Sequence, residues 1–467
     1  MKGVSSMPPD VVLEILVVLS DFSTLSAAIR TCRRFYEAFQ CRAKLITHTV
    51  LRNAAGPALV DAKRLDYYGC VHSLPEEGHL ESDEWKLTRD AATRMERRGR
   101  DVRFLEDFFS LRYKDRTSPS SKLNAIEELR FHRAIYRYWL CYEILRYDAM
   151  REQDSDYEDD EEDDDEDDGH DIHPDDLGLN KEQRRARDAL CDALVRSTSD
   201  ELFELVEVCT FLKDTEVWHG RAVAPTSPIQ TVPNWTTVNP EKLVAALQTR
   251  QMRTDYYDSY GQHELVSNAA RKLLRAHKIP HERVSQARPK AILTSVSGAD
   301  DRCSRCQAIC GTELFGSTNM YLLSGILPFS EQLALLPGLL HRNRDEVQLL
   351  DQYVRNHGNP IPVDVRIRQM MELEPDGDDA DNEHWSKDEW YCLDCIKTLH
   401  RQRFMLWWRE EKHKSGVNLQ DDCWYGYNCR TMTHRSGHAL KLNHLCMPTR
   451  GDAPNVTPAH NAPVGTT

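Results

Sequence analysis

Eight of the fourteen cysteines crowd the last third of this 467-residue chain, among histidines. Cys303-Ser-Arg-Cys306 and Cys392-Leu-Asp-Cys395 are two C-x2-C pairs, and two such pairs supply the four soft donors of a structural zinc. The 85 residues between them exceed the usual spacing of such sites. Loop closure costs rise slowly with length, so a long insertion is tolerable, and Cys310 could replace one donor. A second string runs Cys423-Trp-Tyr-Gly-Tyr-Asn-Cys429, then His434, His438, His444 and Cys446. Gly426 allows a tight knuckle that brings both sulfurs to one ion. His438 and His444 complete a C2H2 set, with Cys446 competing for the last place. The predicted metal ligands are therefore Cys303, Cys306, Cys392, Cys395, Cys423, Cys429, His438 and His444, and the expected cofactor is zinc.

The other six cysteines (Cys32, Cys41, Cys70, Cys141, Cys191, Cys209) are scattered singly and read as small buried hydrophobes. No secretory signal pattern opens the chain, so the clustered thiols point to metal and to a cytoplasmic or nuclear protein. No run of eighteen apolar residues is present, which argues against a membrane span.

Helices must position these side chains. Pro8 and Pro9 suit a first helical turn, and Asp10 adds negative charge at its positive end. Val12, Leu13, Ile15, Leu16 and Leu19 follow. Ser20, Asp21 and Ser23 form a polar break able to cap a second helix, on which Leu25, Ala28, Ile29, Cys32 and Phe35 share one face. Further on, Phe131, Ile135, Tyr138, Tyr142 and Leu145, with Trp139 beside them, make an aromatic core stripe. Thr198 to Glu201 has capping-box spacing, helical patterns recur near 240–252 and 263–277, and 324–353 reads as short broken helices. A helix is expected from Ile396 to Glu410, opened by the second C-x2-C pair.

The net charge of −15 is dominated by one block, because Glu152 to Asp168 holds fourteen acids among seventeen residues. Such a run cannot bury apolar surface and predicts a disordered linker. From Lys397 to Arg450 ten Lys/Arg face four Asp/Glu, so the C-terminal end is locally basic. The expected fold is mainly α, in this order: N-terminal helices (1–50), a helical region (51–150), the acidic linker (151–178), a second helical region (179–300), a C-x2-C/C-x2-C zinc region with a long insertion (301–412), a Cys/His finger (420–447) and a disordered tail (448–467). The C-terminal zinc regions are expected to be small.

Four resemblances follow from these residues. Met7-Pro8, Asp10, the helix Val11 to Leu19, Leu25 and the run Cys32-Arg33-Arg34-Phe35 resemble the F-box, and the Cys/His string from Cys423 to Cys446 resembles one of fungal F-box-type proteins. The F-box resemblance implies docking to a Skp-type adaptor through Pro8, Leu13, Ile15, Leu16, Leu19, Leu25, Ile29 and Phe35. The chain would then be the substrate-recognition subunit of a cullin–RING (SCF-type) ubiquitin ligase, with an unidentified protein substrate. A knuckle followed by a C-x2-C at a helix start resembles a treble-clef zinc site. Cys423, Tyr425, Gly426, Cys429, His438 and His444 resemble the poly(ADP-ribose)-binding zinc finger, although the eight residues between Cys429 and His438 are more than that family uses. The alternative function is thus a zinc-dependent protein binding poly(ADP-ribose) or nucleic acid, its N-terminal hairpin merely structural. The sequence holds no Walker loop, G-x-S-x-G, H-E-x-x-H or dinucleotide fingerprint, and the gap after Cys306 breaks the ligand order of a RING. A non-catalytic chain is expected.

Overall fold

The computed structural model describes residues 7–76, 78–80, 86–155, 181–223, 239–249, 262–284, 290–355, 361–373 and 385–450. The chain divides into two units, the first ending at Ser297 and the second running from Gly298. Both are mainly α.

The first unit carries α1 (Pro9–Val17), α2 (Phe22–Thr31), α3 (Arg33–Ala55), α4 (Leu59–Val71), α5 (Arg89–Tyr113), α6 (Ala125–Ser155), α7 (Lys181–Leu194), α8 (Ser199–Val223), α9 (Pro240–Thr249), α10 (Gln262–Ala276) and α11 (His281–Val284). The expected punctuation operates. Pro8 precedes α1, and the Asp21 carboxylate caps α2 by accepting from the Thr24 N–H at 2.7 Å. Thr198 and Glu201 exchange capping-box bonds of 2.9 and 3.3 Å at the start of α8. The aromatic stripe of α6 is core throughout, and Phe131 joins Phe109 and Phe211 in a three-ring contact with centroids 4.9 to 5.9 Å apart.

One buried charge organises the far end of this core. Glu127 is fully buried and accepts from the Asn124 and Thr294 N–H groups, the Thr294 hydroxyl and the Lys114 ammonium. Burial opposes its ionisation, but these donors win and hold the carboxyl down at about 2.

Two expectations change here. The segment expected as a linker from residue 151 begins inside α6, which continues to Ser155; the rest of the acidic run lies outside the described residues. Of the six scattered cysteines only Cys141 and Cys209 are buried, whereas Cys41 and Cys70 are exposed. Cys70 lies near the end of α4, where the Arg94 guanidinium reaches its sulfur at 3.2 Å.

The second unit uses shorter pieces: β1 (Leu314–Phe315), α12 (Leu323–Ile326), α13 (Phe329–Ala334), α14 (Arg344–Val354), α15 (Val363–Glu372), β2 (Tyr391–Cys392), α16 (Leu393–Lys414) and α17 (Ser436–Ala439), with 3-10 turns between them. The expected helix from Ile396 to Glu410 is longer at both ends. β1 and β2 pair antiparallel, Leu314 opposite Cys392 and Phe315 opposite Tyr391. Helix α16 is the spine. Its Phe404, Trp407 and Trp408 are buried, Trp407 donates to Gln369 at 2.9 Å, and Arg403 caps the end of α15 through the Met370 and Met371 carbonyls. Residues 451–467 of the expected tail lie outside the described residues, but Thr449 and Arg450 are ordered, donating their N–H groups to the Trp424 carbonyl at 2.8 and 2.9 Å.

Candidate metal centres and N-terminal docking face

The two C-x2-C pairs meet despite the long insertion. Cys303, Cys306, Cys392 and Cys395 offer sulfurs that all lie within 4.8 Å of one another. The closest cross-pairs, Cys303 to Cys395 and Cys306 to Cys392, are 3.6 and 3.7 Å apart. A disulfide would need roughly 2 Å. Four thiolates on one zinc at about 2.3 Å stand roughly 3.8 Å apart, so the spacing fits a shared ion.

Backbone geometry explains the convergence. The first pair sits on a knuckle closed by the Cys303 N–H to Ala308 carbonyl bond (2.9 Å) and turned by Gln307 at φ +61°. Ser304 then zips the knuckle to the strand that carries the second pair, exchanging bonds with Trp390 at 2.8 and 3.2 Å. Cys392 is the N-cap of α16, so the second pair stands at the start of a 22-residue helix, yet burial and the neighbouring thiols push the thiols of Cys392 and Cys395 above the ordinary range. Burial opposes ionisation of Cys303, yet the N–H groups of Cys306, Cys392 and Arg305 pull its thiol below the ordinary range. Cys310 stands beside this set but is not one of the four.

The second cluster is Cys423, Cys429, His438 and His444, again with donor atoms within 4.8 Å of one another. His438 Nε2 lies 3.8 Å from the Cys423 sulfur and 3.3 Å from that of Cys429. His444 is buried, and neither ring nitrogen makes a well-formed hydrogen bond; the Leu442 backbone gives only a loose one. Burial, then the neighbouring His438, lowers its pKa, so the ring is neutral and able to ligate. A buried imidazole with no well-formed hydrogen bond, beside two thiols, is a donor set that a metal ion could satisfy. Cys446, the competitor, turns its sulfur to the Cys423 and Asn443 carbonyls at 3.6 and 3.5 Å. His434 is exposed and outside the cluster.

Gly426 has φ +41°, and a Cβ there would stand 2.2 Å from the Cys446 carbonyl oxygen, so only glycine fits the knuckle. The finger is moored through Leu339, whose N–H donates to the Tyr427 carbonyl at 2.8 Å, and through Ser436, which bonds Asp345 at 3.1 Å.

A third group, Glu106, Glu128 and His132, lies in the first unit and was invisible in the sequence, since two helices contribute to it. His132 is buried and pairs with Glu106 at 2.8 Å, and its ring fills the space where a Cβ on Gly56 would stand. This geometry reads as a histidine–carboxylate pair. The glutamates that lie near the cysteine pairs in sequence have structural duties: Glu411 accepts from the Tyr353 hydroxyl at 2.6 Å and Glu389 from that of Tyr391 at 2.8 Å.

The residues expected to dock an adaptor divide into three sets. Leu16 and Leu25 are buried with Ile46 and Val50 in the shared core of α1, α2 and α3, so they hold the helices together and are not open to a partner. Leu13, Leu19, Ile29 and Phe35 are half-buried against that core. Pro8 is exposed and Ile15 half-buried. The sequence reading missed Val18, exposed at 70 %, together with Val11, Tyr36 and Leu45, which are also exposed. Asn53 fixes the end of α1 by donating to the Val17 and Leu19 carbonyls at 2.7 and 2.9 Å.

The molecule is thus a mainly α protein whose second unit holds one four-cysteine donor set and one set of two cysteines and two histidines, each able to bind a metal ion. No protein-family model matches the chain, and no curated protein or solved structure matches it. Among the described residues no helix is long and apolar enough to cross a membrane.

Proposed function

We propose that this chain is the substrate-recognition subunit of an SCF-type ubiquitin ligase, working in the cytoplasm or nucleus, with two structural zinc ions in its second unit. The observation that carries the adaptor reading is the apolar surface left on α1 to α3. Their small core is closed by Leu16, Leu25, Ile46 and Val50, yet Val11, Val18, Tyr36 and Leu45 stay in water. The break at Cys32, between α2 and α3, falls within the Cys-Arg-Arg-Phe run that carries the F-box resemblance. An amphipathic partner laid along α1 would cover Val11, Ile15 and Val18 together, which recur at four- and three-residue spacing on the side away from the core. The chain supplies no reaction in this reading; transfer chemistry belongs to the assembled ligase.

Zinc is supported by the donor chemistry. All-thiolate and thiolate–imidazole sets of four suit zinc, and neither set includes an oxygen donor for harder cations. In these places the ion supplies folding energy and cross-links segments that share little apolar surface.

Co-purification of the full chain with a Skp-type adaptor tests the first claim. Val18→Asp should abolish capture while leaving the far-ultraviolet circular dichroism unchanged, whereas Leu16→Asp should unfold the helical module as well. Failure of the wild-type chain to retain any adaptor overturns the ligase reading and leaves the metal centres standing.

A further inference from the structure

We infer that the C-terminal Cys/His finger carries a docking surface for single-stranded nucleic acid, centred on Trp424, Tyr425 and Arg450. This goes beyond the ligase reading and is independent of it. Trp424 and Tyr425 follow Cys423 directly, so the knuckle that buries the sulfur turns both rings outward; they are 58 % and 50 % exposed. Two large aromatic side chains thus stand exposed on consecutive residues of one knuckle. Trp424 is also not a loose side chain. Its carbonyl accepts from the Thr449 and Arg450 N–H groups, which brings these two residues back across the knuckle. The Arg450 guanidinium then stacks on the indole, 3.8 Å from its centroid.

That stack has a use. An arginine held flat against an aromatic face presents its N–H edge at a fixed place, pre-organised for a phosphate oxygen. With Arg450 over its ring, Trp424 still keeps most of its surface open, and Tyr425 adds a second ring for a neighbouring base. Ring faces accept any base, while fixed cations track the backbone; together they are the elements of single-strand recognition.

The local charge agrees. Between Trp424 and Arg450 the chain has four Arg/Lys (Arg430, Arg435, Lys441, Arg450) and no Asp or Glu, within a protein of net charge −15. All four are exposed. The acids beside the finger are engaged within the fold: Asp422 accepts from the Asn443 amide at 2.6 Å and Asp345 from the Ser436 hydroxyl at 3.1 Å. The fixed positive charge that a polyanion would meet is Arg450 on Trp424, with Arg430, Arg435 and Lys441 exposed on the same finger. Single-stranded nucleic acid is favoured over poly(ADP-ribose) because two adjacent rings suit successive bases.

The test uses the full chain in its metal-loaded form and fluorescein-labelled uridine or thymidine oligomers of about 20 nucleotides, read by fluorescence polarisation at about 50 and 200 mM salt. Binding should weaken steeply with salt. Trp424→Ala should weaken it about tenfold and Trp424→Phe much less, because phenylalanine keeps a stacking face. Arg450→Ala should lower the salt slope by about one phosphate contact. Metal stoichiometry and circular dichroism should be unchanged in all three, which separates lost contact from lost fold. No oligomer binding at the lower salt overturns the inference. So does binding that survives the Trp424→Ala/Arg450→Ala double variant, or capture of poly(ADP-ribose) with none of either oligomer.

Discussion

In the first unit, helices of up to 31 residues bury whole faces against one another, and Phe109, Phe131 and Phe211 meet in a continuous aromatic core. The second unit has one long helix, α16, and around it helices of 4 to 11 residues, 3-10 turns and a two-residue strand pair. Pieces so short cannot nucleate alone, and few offer a continuous apolar face. The two cysteine-containing donor sets join such short pieces to each other: the knuckle before β1 to the start of α16, and the 3-10 turns of the finger to α17 and the segment after it. Secondary structure that can close its own core does so, and cross-linking by an ion replaces it where it cannot.

Metal removal is the largest way to break this contrast. Chelation under reducing conditions should unfold the second unit, since a structural zinc contributes roughly 10 kcal/mol or more to small metallodomains. Limited proteolysis should then leave a resistant fragment ending near Ser297, and native mass spectrometry should register the loss of two ions. A second unit that stays protease-resistant without metal would sink the comparison.

The converse perturbation is a cavity in the first unit. Phe211→Ala should cost about 3–5 kcal/mol. The loss should be the same with and without chelator, because both cysteine-containing donor sets found among the described residues lie in the second unit; chemical denaturation followed at both conditions reads it. A chelator-dependent loss would show that the two units do not hold their stability separately.

Glu127→Gln is a smaller version of the same test, expected to cost about 2 kcal/mol by removing the buried carboxylate from the half-buried Lys114 ammonium and its other donors. Its pH dependence has a definite sign. The folded carboxyl titrates at about 2, below its ordinary 4.5, so its contribution is fully present above about 4.5 and is lost as pH falls towards 2. Thermal melts of the first unit across that window should converge for wild type and variant.

What the sequence made legible was whatever depends on local spacing. Helix starts at Pro8, Asp21 and Thr198 could be read from capping chemistry, as could the buried stripe of α6, since both repeat within a few residues. Seven of the eight metal donors were legible for the same reason, each pair lying close in the chain. The choice between His444 and Cys446 was not, because it turns on where two neighbouring side chains point, and that is set by the parallel bridge between Asp422 and Asn443. Nor were the roles of Leu16 and Leu25: an apolar helical face looks the same whether it closes on α3 or meets a partner. The Arg450–Trp424 stack escaped notice because its two members are far apart in the chain and Arg450 stood in an expected tail.

The smallest effect tests that one ambiguity. Cys446 and His444 are both buried and only two residues apart, so spacing alone cannot rank them. In the structure the Cys446 sulfur faces the Cys423 and Asn443 carbonyls, whereas His444 faces Cys423, Cys429 and His438. Cys446→Ser replaces a weak donor with a better one pointed at the same acceptors, so the change in stability should stay within about 1 kcal/mol and the metal count should remain at two. His444→Ala removes a donor and should leave one ion per chain, with the four-cysteine site retained. The pair is read together by metal analysis of the purified full chain. If Cys446→Ser loses an ion and His444→Ala keeps both, the sulfur turns inward when metal binds, and the finger closes on three cysteines and one histidine instead.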